Sequence, residues 1–312
     1  MTQVTGMIMK ITYPLFTLVL SLVLGLTFSV SAHENNTRLA SPNTDKTAKP
    51  RIIALAPHIV EMLYNIGAGA QVIATTDHAD YPVGAKKIPR IGSATRIQIE
   101  RVVELQPDLI IAWKSGNPSD DLARIKQLGF NVVYSQPNTF NDVANELRLF
   151  GELSGHSKQA EQVAENFLTD LAEIKKQYLH KKPLTGFYEV WSRPITTIAK
   201  GSWPQQFLDI CRINNPFEQA KAQYPQVNIE QILQTNADVI IQPLSLNQGN
   251  NQGDNGGYDW QKWPILPAVK HQQMIRLDAD VVHRMTTRSL QALSDLCQKA
   301  DKSRQYYQQL AG

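Results

Sequence analysis

The sequence lacks a surplus of either charge, since 31 Lys and Arg stand against 28 Asp and Glu for a net charge of +3. A balance this even argues against nucleic acid or an anionic membrane surface as the partner. The sequence also contains no phosphate-binding glycine loop, no GxSxG and no HExxH. Catalytic groups can converge in space without a motif, so these absences favour a binding protein over an enzyme but do not exclude an exported hydrolase.

Long apolar runs are almost absent. The only run long enough to be considered as a membrane span is Leu15 to Val30. Lys10, which precedes it, is the only charged residue among the first 32. The small residues Ser31 and Ala32 then precede a polar stretch, which predicts a secretory signal peptide over residues 1–32 with cleavage after Ala32. An uncleaved anchor is the alternative, although the run is short for a membrane span. No cysteine follows the run, so we expect an exported protein without a lipid anchor or stable membrane insertion.

Cysteine is scarce, with only Cys211 and Cys297 present. Their separation excludes a CxxC redox pair and a zinc knuckle. An exported protein meets an oxidising compartment, which favours a disulfide bond between the two. Such a bond would close a loop of some 85 residues; two separately buried thiols remain the alternative.

The chain of 312 residues is 42% hydrophobic, enough for two domains of ordinary size. Residues 33–50 are polar and aperiodic, which predicts a disordered lead-in. Strand and helix patterns then alternate with short connections, which indicates an α/β fold with mostly parallel sheets. The segment Leu244 to Gly257 is rich in Asn, Gln and Gly, and we interpret it as a mobile loop.

Two lobes are predicted because one stretch occurs twice. The segment Ile99 to Ile111 (IERVVELQPDLII) returns 130 residues later, without a gap, as Ile229 to Ile241 (IEQILQTNADVII). Each copy has the pattern of a short amphipathic helix, a turn and a buried strand. Helix–turn–strand units resemble one another in any α/β protein, which is the alternative reading. We predict an N-terminal lobe over residues 51–156 and a C-terminal lobe over residues 181–312.

Between these lobes lies the longest helical pattern of the chain, Ser157 to Leu179, which no Gly or Pro interrupts. Its apolar residues recur at spacings of three and four. A helix of about 22 residues is about 33 Å long, enough to cross from one lobe to the next. We therefore predict one interlobe helix over residues 157–180.

Ligands of parallel sheets lie beyond the carboxyl ends of the strands, so the residues that follow each predicted strand are candidates for a site. These residues are Pro57 and His58, Asp77 to Tyr81, Trp113 to Asn117, Trp191 to Pro194, and Asp280 to Arg284. The aromatic rings and few polar groups of this set suit a broad, partly polar ligand. The alternatives are rim packing for Trp113 and Trp191, a solvated loop for His78, a surface pair for His283 and Arg284, and a metal site made of His58, His78 and His283.

Several of these segments resemble the periplasmic cobalamin-binding proteins that serve ABC importers. The similar pieces are RIIALAPHIVEMLYNIGA from Arg51, DYP from Asp80, IERVVELQPDLIIAW from Ile99 with Gly116-Asn117 after it, YPQVNIEQIL from Tyr224, LDIC ending at Cys211, and His283-Arg284. They cover essentially the whole mature chain. Their specificity is good for the wider family of cobalamin, haem and ferric-siderophore binders.

The resemblance implies a class III periplasmic binding protein: two α/β lobes, one backbone helix, and a ligand held in the cleft between the lobes. It implies a monomer in the periplasm that catalyses no reaction and has no cofactor beyond cobalamin as cargo. It also places Glu100 and Glu230 at the contact with arginines of the permease dimer. The simpler role for an acidic residue in a first helical turn is to interact with the helix dipole, worth roughly 0.3–1 kcal/mol.

For the ligand itself, the resemblance points to His78 and to the loop Asp280, Val281, Val282, His283 and Arg284. His78 stands where relatives have a phenol, and Val281 where they have a tryptophan. A histidine at position 78 could donate a hydrogen bond to a corrin amide, ligate the cobalt of bound cobalamin, or ligate haem iron. We predict a cobalamin-binding protein, with haem or a ferric siderophore as the alternative ligand.

Overall fold

The structure is a computed structural model that describes residues 49–93, 95–244 and 257–312. These described residues belong to one compact unit. The predicted signal peptide, all but the last two residues of the predicted lead-in, and residues 245–256 of the Asn-rich segment lie outside the described residues. In the part of the chain that is described, no helix is long and apolar enough to cross a membrane.

The first lobe is built on four parallel strands in the order β2-β1-β5-β6. Its strands are β1 (Ile52–Ala54), β2 (Val72–Thr75), the short antiparallel pair β3 (Gly92–Ser93) and β4 (Arg96–Ile97), β5 (Leu109–Trp113) and β6 (Val132–Ser135). Its helices are α1 (Pro57–Asn65), α2 (Ile99–Leu105), α3 (Ser119–Gln127) and α4 (Phe140–Ser154). The central strands β1 and β5 are buried on both faces, as parallel strands covered by helices require.

The second lobe repeats this plan with the parallel order β10-β7-β11-β12. Its strands are β7 (Leu184–Tyr188), the antiparallel pair β8 (Trp191–Ser192) and β9 (Ile195–Thr196), β10 (Ile213–Asn214), β11 (Val239–Leu244) and β12 (Met274–Asp278). Its helices are α6 (Gln205–Ile210), α7 (Ile229–Gln234), α8 (Pro267–Lys270), α9 (Ala279–Val282) and α10 (Ser289–Ala311). The predicted fold of two parallel sheets flanked by helices is confirmed.

The helix α5 (Ser157–Tyr178) connects the two lobes, has 22 residues and ends two residues before the predicted end at residue 180. It packs against α4 of the first lobe and against α6 and α10 of the second. Its buried face comprises Ala160, Ala164, Phe167, Leu171 and Tyr178, which follow the helical spacing seen in the sequence.

The sequence repeat corresponds to equivalent places in the two sheets, because β5 and β11 are each third in their sheet. Both copies turn from helix to strand through a left-handed residue, Gln106 with φ 43° and Asn236 with φ 47°. The repeated aspartates explain part of the identity. Asp108 Oδ2 accepts a hydrogen bond of 2.7 Å from the backbone N–H of Arg51, and Asp238 Oδ2 accepts one of 2.7 Å from Thr185. Each aspartate thereby fixes the turn to the first strand of its own lobe.

A disulfide bond joins Cys211 and Cys297. It links the end of α6 to the middle of α10, so it staples the second lobe internally as predicted. Trp191, which we expected directly after a strand, does not follow β7. The strand begins at Leu184, which is buried and pairs with Ile213, and it ends at Tyr188, so Trp191 belongs to a separate hairpin.

Candidate functional site

A cavity of about 430 Å³ lies between residues of both lobes, near the carboxyl ends of the strands. The first lobe contributes Trp113, Ser115, Gln136, Pro137 and Asn138, and the second contributes Val190, Gly201, Trp203, Pro204, Gln223, Tyr224, His283 and Met285. The described residues that line it include no Asp, Glu, Lys or Arg. The cavity therefore offers aromatic surface and neutral hydrogen-bonding groups.

Trp113 is held at this cavity by the turn that follows β5. The backbone N–H of Trp113 donates to Asn117 Oδ1 at 2.7 Å, and Asn117 Nδ2 donates to the carbonyl of Leu55 at 2.8 Å. A Cβ added to Gly116 would lie 1.8 Å from the Trp113 ring, so the indole can cover this turn only where position 116 has no side chain. The Gly116-Asn117 motif is thus a device that positions Trp113.

Of the predicted ligand-binding residues, Trp113 and His283 line the cavity. The other predicted residues do not line it. Trp191 lies on the β8–β9 hairpin with 59% of its surface exposed, and its Nε1 donates to the carbonyl of Arg193 at 3.0 Å. Val282 is fully buried, and Val281 packs against the main core.

Arg284 belongs to a group of charged residues that joins the two lobes. We call this group the interlobe clamp: Glu61, Asp80 and Tyr81 of the first lobe with Arg284 and Arg288 of the second. The Glu61 carboxylate is buried, with 1% of the side chain exposed. It accepts two hydrogen bonds from Arg288, at 2.8 and 2.6 Å, and one from Arg284 at 3.0 Å.

The remaining contacts of the interlobe clamp use most of the Arg284 guanidinium. It donates to Asp80 Oδ1 at 3.2 Å, to the carbonyl of His78 at 3.2 Å and to Asp280 Oδ1 at 3.3 Å. The guanidinium of Arg288 lies 3.7 Å from the ring centre of Tyr81. Four residues that the sequence suggested for the ligand thus take part in these contacts: Arg284 binds the His78 carbonyl across the lobes and Asp280 within its own lobe, and Tyr81 packs on Arg288. The imidazole of His78 is exposed.

A second set of interlobe contacts involves amides and aromatic rings. Gln206 of α6 accepts from the backbone N–H of Phe140 at 3.1 Å and donates to the carbonyl of Asn138 at 2.9 Å. Phe140 also packs on Trp203, with ring centres 5.0 Å apart. Trp203 in turn donates from Nε1 to the carbonyl of Val282 at 2.8 Å, which anchors α9 beside the cavity.

A buried polar chain runs beneath Trp113. His58 Nε2 lies 2.9 Å from Ser135 Oγ, and Ser135 donates to Glu146 at 2.6 Å. Because the one hydroxyl proton of Ser135 is used on Glu146, His58 Nε2 must be protonated and donate to Ser135. An imidazole in that state cannot take the serine proton, and Ser135 is fully buried. The pair therefore lacks the arrangement of a nucleophile and its base.

His58, His78 and His283 do not form a metal site in the described part of the chain. Within the described ranges, no group of three or more His, Cys, Asp or Glu side chains is placed to hold a metal ion. His58 is buried against Ser135, His78 is exposed, and His283 contacts Tyr188.

Burial shifts the pKa values of three groups near the cavity. It lowers the pKa of His58 to about 3, with the charge of Arg284 adding to the effect. It also lowers the pKa of His283 to about 4, against the attraction of Asp280. Burial raises the pKa of Glu146 to about 6, although hydrogen bonds from Ser135 and the Gln136 N–H oppose the shift. Both imidazoles are therefore neutral at pH 7.

These shifts predict that stability falls in mild acid. The folded-state pKa values of His58 and His283 lie below the unfolded value of 6.5, so their contribution is complete above pH 6.5. It is lost as the pH falls from 6.5 to about 4 for His283 and to about 3 for His58. Glu146 acts in the opposite direction between pH 6 and 4.5. We expect a net loss of about 4–5 kcal/mol in the free energy of unfolding between pH 7 and 4, measured by urea denaturation.

The control separates these histidines from other titrating groups. His58→Gln should flatten the pH profile, whereas His180→Gln should leave it unchanged because His180 is exposed on the surface. Equal slopes for wild type and His58→Gln would contradict the assignment.

Some cavity residues were missed by the sequence reasoning. Gln136, Pro137 and Asn138 directly follow β6. The expectation that ligands lie beyond the carboxyl ends of strands could therefore have found them. Trp203 and Tyr224 lie in connections outside the predicted strand-end segments, and no local pattern marks them. Met285 directly follows the predicted segment Asp280 to Arg284, so a segment longer by one residue would have included it. Glu100 and Glu230 are both exposed in the first turns of α2 and α7, where the sequence placed them.

Comparisons with known proteins agree with this geometry. The chain matches the family model described as periplasmic binding protein over residues 52–281. The vitamin B12-binding protein of Vibrio cholerae is 35% identical over 255 residues, which cover 80% of this chain and 90% of that relative. The vitamin B12-binding protein of Yersinia pestis is 30% identical over 252 residues, covering 81% and 86%.

Solved structures show the same fold. The structure of the periplasmic vitamin B12-binding protein of Vibrio cholerae has a TM-score of 0.74 at 33% identity and covers 82% of this chain and 98% of that chain. A periplasmic haem-binding protein from Roseiflexus has a TM-score of 0.70 at 21% identity, covering 82% and 99%, and shares the fold. The family model, the relatives and the solved structures each match most of this chain. The chain therefore belongs to the periplasmic binding protein family.

Proposed function

We propose that this protein captures cobalamin in the interlobe cavity, in the periplasm, and delivers it unchanged to an ABC importer. The observation that carries the proposal is the uncharged lining of the cavity. A corrin carries amide side chains around its ring, which neutral donors and acceptors such as Gln136, Asn138 and Gln223 can match. The relatives named as vitamin B12-binding proteins support the same ligand.

Haem and ferric siderophores are the alternatives within the family. Haem carries two propionate groups, and a carboxylate is bound best by a cationic partner such as Arg. Among the residues near the cavity, Arg284 and Arg288 already bind the Glu61 carboxylate. Enclosing unpaired carboxylates in a neutral cavity costs free energy, so the lining favours cobalamin over haem.

Titrations with cyanocobalamin and haemin test the proposal. We expect cyanocobalamin to bind at least about a hundredfold more tightly, a difference of about 3 kcal/mol. Trp113→Ala should weaken this binding by tenfold or more because it removes an aromatic wall of the cavity, whereas Trp191→Ala tests the hairpin tryptophan that lies outside it. Equal or tighter binding of haemin would reverse the choice of ligand.

We also propose that Glu100 and Glu230 contact the permease. Both carboxylates are exposed, occupy equivalent positions in the two lobes, and have no ion pair among the described residues. One outward carboxylate on each lobe suits a two-fold permease, and contacts between Arg and carboxylate are directional.

The double variant Glu100→Ala, Glu230→Ala should bind cyanocobalamin as the wild type does but lose uptake in a cell or vesicle assay. A matched control is Glu152→Ala, Glu173→Ala, because these glutamates are also exposed on helices. Unchanged uptake in the first double variant, or equal loss in the control, would contradict the docking role.

A further inference from the structure

His283 and Tyr188 form a pair at the wall of the cavity. His283 caps the end of α9, directly after β12, and lines the cavity. Its Nε2 lies 3.1 Å from the hydroxyl oxygen of Tyr188, the last residue of β7. Tyr188 is fully buried, with its ring centre 6.2 Å from that of His283.

The chemistry of the tyrosine decides where the proton of the imidazole lies. The buried phenol is protonated, since burial raises the pKa of Tyr188 well above its ordinary value. Its O–H has no other acceptor among the described residues, and a buried donor without an acceptor costs about 1–3 kcal/mol. The Tyr188 hydroxyl therefore donates to Nε2. A neutral imidazole that accepts at Nε2 carries its proton on Nδ1.

The Nδ1 atom of His283 remains available to a ligand. Nδ1 of His283 has no hydrogen bond in the described part of the chain, and the residue borders the cavity together with Met285 and Tyr224. A neutral Nδ1–H donates a hydrogen bond but has no lone pair to give to a metal ion.

We propose that Tyr188 is a positioning residue that fixes His283 as a hydrogen-bond donor to a carbonyl of the bound ligand and prevents it from coordinating the ligand's metal. This inference rests on the proposed function for the identity of the ligand. The state of His283 in the free protein does not depend on it. The pair would let the protein hold a corrin through a peripheral amide without displacing an axial group from cobalt.

The first test uses the free protein. Nitrogen-15 NMR of the His283 ring should show a protonated Nδ1 and an unprotonated Nε2 at pH 7. In Tyr188→Phe the acceptor role of Nε2 is lost, so the proton should move to Nε2 in a measurable fraction of molecules. An Nε2-protonated ring in the wild type overturns the inference, whatever the ligand.

The second test uses cobalamins. We expect His283→Leu to weaken cyanocobalamin binding about tenfold, His283→Gln to restore much of the loss through its amide N–H, and Tyr188→Phe to weaken binding three- to tenfold. Aquocobalamin bound to the wild type should keep its water ligand, so its absorption spectrum should not acquire the features of an imidazole complex. Urea denaturation confirms that each variant is folded.

Controls and outcomes separate the inference from the proposed function. Tyr64→Phe alters a tyrosine of the first lobe that does not line the cavity, and His78→Ala removes the exposed imidazole; neither should change the His283 ring nitrogen signals. If the wild type does not bind cyanocobalamin, the proposed function fails, while the NMR result still stands. If the wild type binds and Tyr188→Phe and His283→Leu bind equally well, or if His283 displaces the water of aquocobalamin, the inference is wrong.

Discussion

Replacing Glu61 by Ala is expected to lower the free energy of unfolding by about 3–5 kcal/mol. Its carboxylate is the anion that two arginines of the opposite lobe share, and their side chains are only 13% and 19% exposed. Without Glu61, Arg288 would keep its charge in a largely buried place and lose its only carboxylate partner among the described residues, while Arg284 would keep Asp80 and Asp280. Urea denaturation followed by tryptophan fluorescence measures the change.

A matched control for Glu61 is Glu104→Ala. Glu104 pairs with Arg101 within one helical turn, and both side chains are about half exposed. Exposed pairs of this kind contribute roughly 0–1 kcal/mol, so the control should be nearly neutral. A Glu61→Ala variant no less stable than the control would mean that the interlobe clamp contributes nothing to stability.

The same substitution should also weaken ligand binding. His283 and Met285 line the cavity on both sides of Arg284 in the sequence, so the interlobe clamp fixes the segment that presents them. We expect Glu61→Ala to bind cyanocobalamin more weakly than the wild type. The affinity is measured by titration without urea, where the variant is folded.

Removing the disulfide bond is expected to cost about 4–5 kcal/mol in the chain-entropy model. The bond joins residues 86 apart in sequence, and opening this loop gives the unfolded chain more conformations. The folded lobe should keep its shape, because Arg304 donates to the carbonyls of Lys182, Cys211 and Arg212 and so anchors α10 independently. Denaturation midpoints of the Cys211→Ala, Cys297→Ala variant measure the loss.

A reductant supplies the control for the disulfide bond. Dithiothreitol should shift the unfolding midpoint of the wild type towards that of the double variant and leave the variant itself unchanged. A wild type whose stability in reductant falls by less than about 1 kcal/mol, with reduction verified by thiol counting, would contradict the estimate.

In the sequence repeat, the hydrophobic pattern predicts the secondary structure but not the contacts of the polar side chains. The pattern of Ile99 to Ile111 predicted a helix, a turn and a strand, and both copies fold that way at the same place in their sheets. The role of the repeated aspartates was not visible, because Asp108 and Asp238 bind backbone groups of strands more than 50 residues away. The spacing of apolar residues indicates whether a segment is a helix or a strand, but it does not indicate which group a polar side chain binds.

The expectation that ligands lie beyond the carboxyl ends of strands brought one tryptophan to the cavity and not the other, for a physical reason in each case. It placed Trp113 at the cavity because β5 ends where the apolar pattern ends. It misplaced Trp191, because β7 ends at Tyr188 and Glu189 turns inward to accept hydrogen bonds from Trp260 and Gln242. A buried carboxylate bound by neutral donors leaves no signal in the local hydrophobic pattern.

The sequence by itself determined the α/β class, the two lobes, the helix between them and the pair of cysteines that bond, because each depends on local periodicity, on repetition or on the compartment. Only the tertiary structure decided which polar residues near the strand ends face the cavity and which bind one another. Arg284 lies next to His283 in the chain, yet its partner Glu61 is 223 residues away in the other lobe. Charge neutralisation across that distance turns Arg284 towards Glu61 and leaves a cavity without charge, and no local pattern encodes such a pairing.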